Sequence, residues 1–194
     1  MWIAKNEYLS HSEMLNNAKL IWGYFGSKGC TLNAVCAMLG NMQHESSINP
    51  GIWEGLEPFP SEELRGYGLV QWTPWTKYAN WAGSDWQNNG NKQCERIMYE
   101  AENGIQWFSN PEAPIIDPPL SFKQFLHSDK AVATLANYFL WYYEHPAVTI
   151  QPDRASDAEK WYQELTGETP IPPDPDPGPN SFRSMPIYFY TRIF

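Results

Sequence analysis

The run Pro170–Asn180, "PIPPDPDPGPN", sets the outer limit on what this chain can fold into. Proline fixes φ and lacks a backbone N–H, so prolines at nearly every second position exclude helix and sheet ladder and favour an extended spacer. The chain therefore divides into a globular domain over 1–168, a Pro-rich linker over 169–180 and a tail over 181–194. A domain of that size buries a hydrophobic core without needing disulfides or metals. The tail, "SFRSMPIYFYTRIF", is aromatic and basic and contains no acid. It is too short for a core of its own and is expected to dock onto a partner chain, for instance as an added strand.

Charge and composition narrow the function. A net charge of −9 argues against wrapping a nucleic-acid backbone, which needs a basic face, and against adhesion to anionic membranes. The aromatic content of 15%, with 10 Trp, supplies large faces for packing and for stacking on sugar rings. Cys30, Cys36 and Cys94 form neither a CxxC pair nor a Cys/His metal spacing, and reduced, largely buried thiols are expected. The N-terminus, "MWIAKNEYLS", lacks the basic region and apolar run of a signal peptide, and no stretch reaches transmembrane length. The expectation is a protein made in a cytoplasm, not exported by a classical signal, with no cofactor and no metal.

Inside the domain the punctuation is helical. Ser10-His-Ser-Glu13 has capping-box form ahead of Met14, Leu15, Ala18, Ile21, Trp22 and Phe25, and Gly26 and Gly29 close that helix. Thr31 is the cap of a second helix with Leu32, Val35, Cys36, Leu39 and Met42 on one face. Residues 47–72 are rich in Gly and Pro and read as short strands or an irregular lobe. Thr73-Pro74 reads as a cap followed by Pro at the first helical position. Helical pattern then runs through 75–82, about 91–103, 121–127 and 130–144, and Ser156-Asp-Ala-Glu159 reads as a capping box for a last helix ending near Gly167. The fold class is α+β, predominantly α-helical, with a small β-rich or irregular insert.

The candidate chemistry starts at Glu45, within "NMQHESS". At about 100° per residue it falls on the edge of the apolar stripe, in the last turn of its helix. The negative end of the helix dipole and partial burial both oppose a carboxylate there, which is the environment a general acid needs. Some twenty residues on, Gly66-Tyr-Gly-Leu-Val-Gln-Trp-Thr73 offers glycines for close backbone approach and, in Gln71, an amide that both donates and accepts.

Glu45-Ser46 followed by Gly68-Leu69-Val70-Gln71 resembles the Glu-Ser…Gly-Leu-Met-Gln pattern of goose-type lysozymes and soluble lytic transglycosylases. Asn41–Ser46, Asn49-Pro50-Gly51, Gly66–Pro74 with Lys77-Tyr78, and Tyr142-Tyr-Glu-His-Pro146 with Arg154-Ala155 and Trp161 resemble the phage tail-tip lysozyme family more closely. The resemblance covers roughly 2–166. It implies a lysozyme-like two-lobed domain that cleaves the glycan strand of peptidoglycan, with Glu45 protonating the glycosidic oxygen. Ser46 would fix Glu45 or the turn after it, and Tyr67, Gly68 and Gln71 would line the sugar cleft.

The remaining roles stay open on the sequence. Trp72, with Trp53, Trp75 and Trp81, is placed to stack sugars or to pack the core, and Asn49 and Tyr138 to orient substrate or to serve structure. Glycosidases normally use two carboxyls. Glu54, Glu57, Glu62, Glu63, Asp85 and Glu144 are candidates for the second, none with a decisive pattern. No HExxH follows Glu45, so zinc chemistry is not expected, and His11, His127 and His145 read as satisfied structural histidines.

The expected function is a virion-associated muramidase-type hydrolase, acting on a Gram-positive wall from the phage tail tip during DNA delivery, with 181–194 docking onto tail proteins. The alternatives are a structural tail-tip protein whose domain binds glycan or plugs without cutting, and an endolysin acting at host lysis. An endolysin usually carries a substantial wall-binding domain, for which 181–194 is too short.

Overall fold

The computed structural model describes residues 1–57 and 64–169. The docking tail, nearly all of the linker, and Glu62 and Glu63 lie outside the described residues. Among the described residues seven α-helices carry the fold: α1 His11–Ser27, α2 Leu32–Ser46, α3 Thr76–Ala82, α4 Gly90–Asn103, α5 Phe122–Leu126, α6 Val132–Phe139 and α7 Pro152–Thr166. The domain is predominantly helical, as expected. No described helix is long and apolar enough to cross a membrane.

The ends of the early helices follow their sequence signals. Glu13 accepts the Ser10 backbone N–H at 2.8 Å and pairs with Lys5 Nζ at 2.9 Å, and these contacts, the Ser10 N–H foremost, pull its pKa to about 2. Thr31 Oγ1 accepts the Ala34 N–H at 3.2 Å and donates to Ser128 O at 2.7 Å, so one side chain caps α2 and ties it to the turn between α5 and α6.

The second helix differs from its single-stripe reading. From Ala34 to Met42 every residue of α2 is buried, because α7 and α6 pack on it from one side and α1 from another. A helix enclosed all round is the centre of the core, and each large apolar side chain it buries contributes on the order of 1.5–3 kcal/mol. Its one buried polar side chain ahead of the last turn, Asn41, donates to Ala37 O and Ala136 O, both at 3.0 Å, and joins α2 to α6. Gly40 permits the closest packing, since a Cβ there would collide with the Arg154 carbonyl and with Ala158 of α7.

Three local readings are corrected. Thr73 does not cap α3: its hydroxyl donates to Gln71 O at 2.9 Å, the Thr73–Pro74 peptide is cis, and the N-cap is Trp75. Ser156–Glu159 is not a helix start either, because Pro152 already occupies the first turn of α7, where its missing N–H costs nothing. Of the two readings of 47–72, the irregular one describes what is present: isolated bridges Trp53–Tyr67 and Tyr67–Trp72 and a 3₁₀ turn Glu54–Leu56, with no named strand among the described residues. The 130–144 pattern is one helical rod whose last five residues, Leu140–Glu144, widen into a π turn.

Two glycines test the packing. Gly40→Ala is expected to lose about 1–3 kcal/mol in urea unfolding, because α7 must move away from α2. Gly23→Ala, on an exposed face of α1 with nothing near the new methyl, is expected to gain about 0.5–1 kcal/mol.

Candidate active site

The end of α2 is locked before it presents anything to solvent. Ser47 and Ile48 both adopt left-handed backbone, at φ 53° and 52°, a costly conformation for a β-branched residue. The Ser47 and Ile48 N–H groups return to Gln43 O at 3.1 Å and Met42 O at 3.3 Å, closing the helix. Ser46 is fully buried, with Oγ 2.9 Å from Leu69 O and 3.0 Å from Met42 O, so its one proton is shared between the two carbonyls. It joins the Glu45 helix to the Gly68–Gln71 loop and does not itself face the cleft. Asn49 is structural in the same way, donating to Lys5 O and Glu7 O at 2.6 and 2.7 Å.

A cleft of about 610 Å³ opens beside this lock. Glu45 lines it from α2, Glu144 and Tyr143 from the π turn, and Glu54, Gln71 and Trp72 from the irregular segment. Glu45 sits on the rim, its side chain 22% exposed, as the helical period requires. The period gives no hint of Arg154, whose Nη2 lies 2.6 Å from Glu45 Oε1. That guanidinium is itself nearly buried, held by Gln151 Oε1 at 2.7 Å, with Nη1 3.4 Å from the Asn41 carbonyl.

The other side of the cleft is built from buried polar groups on α4. Gly68 has φ +79°, and a Cβ there would strike the Gln93 side chain. Gln93 accepts the Leu69 N–H at 2.8 Å and donates to Pro50 O at 2.7 Å, fixing both ends of the irregular segment. Gln71, at φ 49°, spends its amide nitrogen on Gly68 O and Ile52 O, and its carbonyl oxygen has no partner among the described residues. Glu100 lies beneath: Oε1 accepts from Trp72 Nε1 at 3.0 Å and Arg96 Nε at 2.8 Å, and Oε2 from Tyr143 OH at 2.6 Å. Burial raises the Glu100 pKa against the pull of these donors, and raises that of Tyr143 well above its ordinary value.

Glu144 ends the π turn, and His145 after it is left-handed at φ 51°. Its Oε1 is buried with no hydrogen-bond partner among the described residues. Burial, then the nearby charge of Glu45, holds its pKa well above the carboxylate range, with Arg154 opposing and Glu100 adding. Two carboxyls thus share one cleft in unlike settings, Glu45 in an ion pair and Glu144 unpaired.

Most of the other singled-out residues stand behind or away from this cleft. Tyr67 is buried, its OH accepting the Asn88 N–H at 2.8 Å, and burial pushes its pKa up to about 12. Tyr138 packs against Trp141 and Tyr142, Trp75 stacks on Trp86, and Trp81 sits under Lys92 and Arg96. Trp53 and Trp72 are core residues that also line the cleft. Glu57 pairs with Arg65, and Asp85 lies in an exposed 3₁₀ turn. His44 bridges to Asp157 at 2.9 Å, His11 to Glu164 at 3.0 Å, and His127 Nδ1 lies 2.9 Å from Gly29 O. His145 departs from the satisfied reading, since its Nε2 is buried without a partner. All three thiols are free and buried, with Cys30 and Cys36 pushed up to about 11 and 12 by desolvation. Among the described residues no cluster of His, Cys, Asp or Glu could hold a metal ion.

Sequence reasoning singled out neither Gln93 nor Glu100. Their signal was present as polar residues at the core-facing positions of α4, in register with Ile97.

Comparison with known proteins adds a family to this geometry. The family described as Phage tail lysozyme matches residues 16–165. A relative, Morphogenesis protein 1 of Bacillus phage B103, is 44% identical over 170 residues. Those residues are 87% of this chain, which spans only 44% of that relative's length.

Two predictions follow from the buried acids. Glu100→Ala leaves Trp72, Tyr143 and Arg96 without their acceptor and is expected to lose about 3–5 kcal/mol in urea unfolding. For Glu144 the folded pKa lies above the unfolded one. Well below about pH 4.5 both states hold the proton. As pH rises further the unfolded chain ionises first, so the stability of the wild type relative to Glu144→Gln is expected to fall. Paired unfolding curves from pH 4.5 to about pH 8 measure that difference, and a rise would contradict the assignment.

Proposed function

The chain belongs to the phage tail lysozyme family, and we propose that it cleaves the glycan strand of peptidoglycan, with Glu45 as the acid that protonates the glycosidic oxygen. The observation carrying this reading is the cleft itself. A carboxyl on the rim of the core shares a cleft with a loop that lines it with the Gln71 amide, whose oxygen has no partner among the described residues, and the edge of the Trp72 indole. The Gln71 carbonyl suits a sugar hydroxyl or an N-acetyl N–H, and Trp72 and Trp53 give apolar faces for ring contact. On this reading the helices and the irregular segment are the two lobes of a lysozyme-like domain with the glycan lying between them.

The enzyme acts from the phage tail tip, opening the wall locally during tail penetration so that DNA can pass. The relative comes from a Bacillus phage, which supports a Gram-positive wall as substrate. Residues 181–194 are the segment proposed to dock onto tail proteins. One observation favours a second reading: the relative is named for morphogenesis, and this chain spans less than half of it. A structural tail component whose domain grips glycan without cutting fits that name.

Purified protein incubated with Gram-positive walls separates the two. Release of muropeptides is expected, and mass spectrometry reads the mechanism, because hydrolysis leaves a reducing end and internal attack leaves an anhydro sugar lighter by one water. Glu45→Gln is nearly isosteric and is expected to abolish release, by at least about a thousandfold, while the circular dichroism spectrum stays unchanged. Wall binding without product from folded wild type would favour the structural reading.

A further inference from the structure

Resting on the glycan-cleaving reading, we infer that Glu144 is the working partner of Glu45: the two carboxyls hold one proton between them, and Glu144 keeps that proton in the cleft for Glu45 to deliver. Glu45 stands in an ion pair with Arg154 at 2.6 Å, and the carboxylate member of an ion pair has no proton to give. Glu144 lines the same cleft, with a buried Oε1 that has no hydrogen-bond partner among the described residues. A buried carboxylate oxygen without a donor is costly, whereas a neutral acid in that place is not.

The surroundings fix which member holds the proton at rest. Glu45 of α2 and Glu100 of α4 face Glu144 with negative charge, and Arg154 of α7 faces it with positive charge. Tyr143 and His145 are its neighbours on its own segment, and Glu54 and Lys77 line the cleft from the irregular side and α3. Arg154 makes its direct contact with Glu45, so the charge of the pair rests there and the proton on Glu144. Two carboxyls that sense each other titrate as a unit, and the second proton loss is driven upward by the first charge.

In the cycle, the proton passes from Glu144 to Glu45 and on to the glycosidic oxygen as the C1–O bond breaks. The attacking hydroxyl, from water or from the substrate, bonds to C1 and gives up a proton, and the pair regains one from solvent. Charge and atoms balance, and no other reactant is needed. Glu144 is a positioning residue in this scheme, because it acts through Glu45.

The test has two arms. In the first, kcat/KM on purified walls is followed against pH for wild type, Glu144→Gln and Arg154→Gln. The alkaline limb of the wild type reports loss of the pair's last proton. Glu144→Gln is expected to move that limb at least about one pH unit toward acid and to lower activity near neutrality at least about tenfold, whereas Arg154→Gln is expected to move it the other way. A Glu144→Gln profile that keeps its shape, merely scaled down or unchanged, overturns the inference and leaves the glycan-cleaving reading standing.

In the second arm, the side-chain carboxyls of ¹³C-glutamate-labelled wild type are titrated by NMR. Two coupled steps, assigned to Glu45 and Glu144 by the Gln variants, support the pair whether or not any variant is active. Independent titration of the two groups overturns it. Folded wild type that cleaves no glycan removes the proposed function, and the positioning role of Glu144 with it.

Discussion

Where α7 crosses α2 at Gly40 there is no room for a Cβ, and that close approach brings Arg154 to the last turn of α2. The rest of the site is arranged around this delivery. Arg154 is nearly buried and holds Gln151 of its own helix end, the Asn41 carbonyl and Glu45 at once, so two of its contacts cross the seam between the two helices. A guanidinium in that position has to be satisfied, since breaking a buried pair costs several times what an exposed one contributes. Glu45 is therefore held to one place by the helix below it and by the cation beside it.

The opposite wall is fixed by the same economy of buried polar groups. Gln93 satisfies Leu69 and Pro50, and Glu100 satisfies Trp72, Arg96 and Tyr143, so side chains of α4 hold the described part of the irregular segment from behind. Among the described residues the segment has only isolated bridges of its own. Its shape is set from behind by a helix, which is why Trp72 and Tyr143 meet at the cleft floor although they are far apart in the chain.

Much of this was legible in the sequence, and the misses share a cause. Capping signals placed α1 and α2 closely, because a cap is a local contact within three residues. The rim position of Glu45 followed from the helical period alone. The start of α7 was misplaced because two local signals competed and the proline prevailed over the Ser156 box. Gln93 and Glu100 were invisible as site residues, and Arg154 stood in the family motif without a role, because what they do depends on which helices touch, and single-chain periodicity carries no such information. Ser46, Tyr67 and Gly68 belong to the motif for a structural reason, namely that each locks the loop, while Gln71 and Trp72 reach the cleft.

The backbone explains why the two carboxyls meet at all. Glu45 lies in the last turn of α2 and Glu144 ends the rod that α6 and the π turn form, so each is carried at a helix C-terminus. Left-handed residues follow closely, Ser47 and Ile48 after the first and His145 after the second, and end each helix there. Such conformations cost of order 1 kcal/mol or more each for residues with a side chain, and they persist only where the surroundings over-determine them. Two helix C-termini aimed at one cavity bring two negative dipole ends together. Two ionised carboxylates added there would be opposed by both dipoles and by each other, and a single arginine offsets only one of them. The charge that this convergence tolerates is one carboxylate and one acid, a constraint set by the fold before any substrate enters.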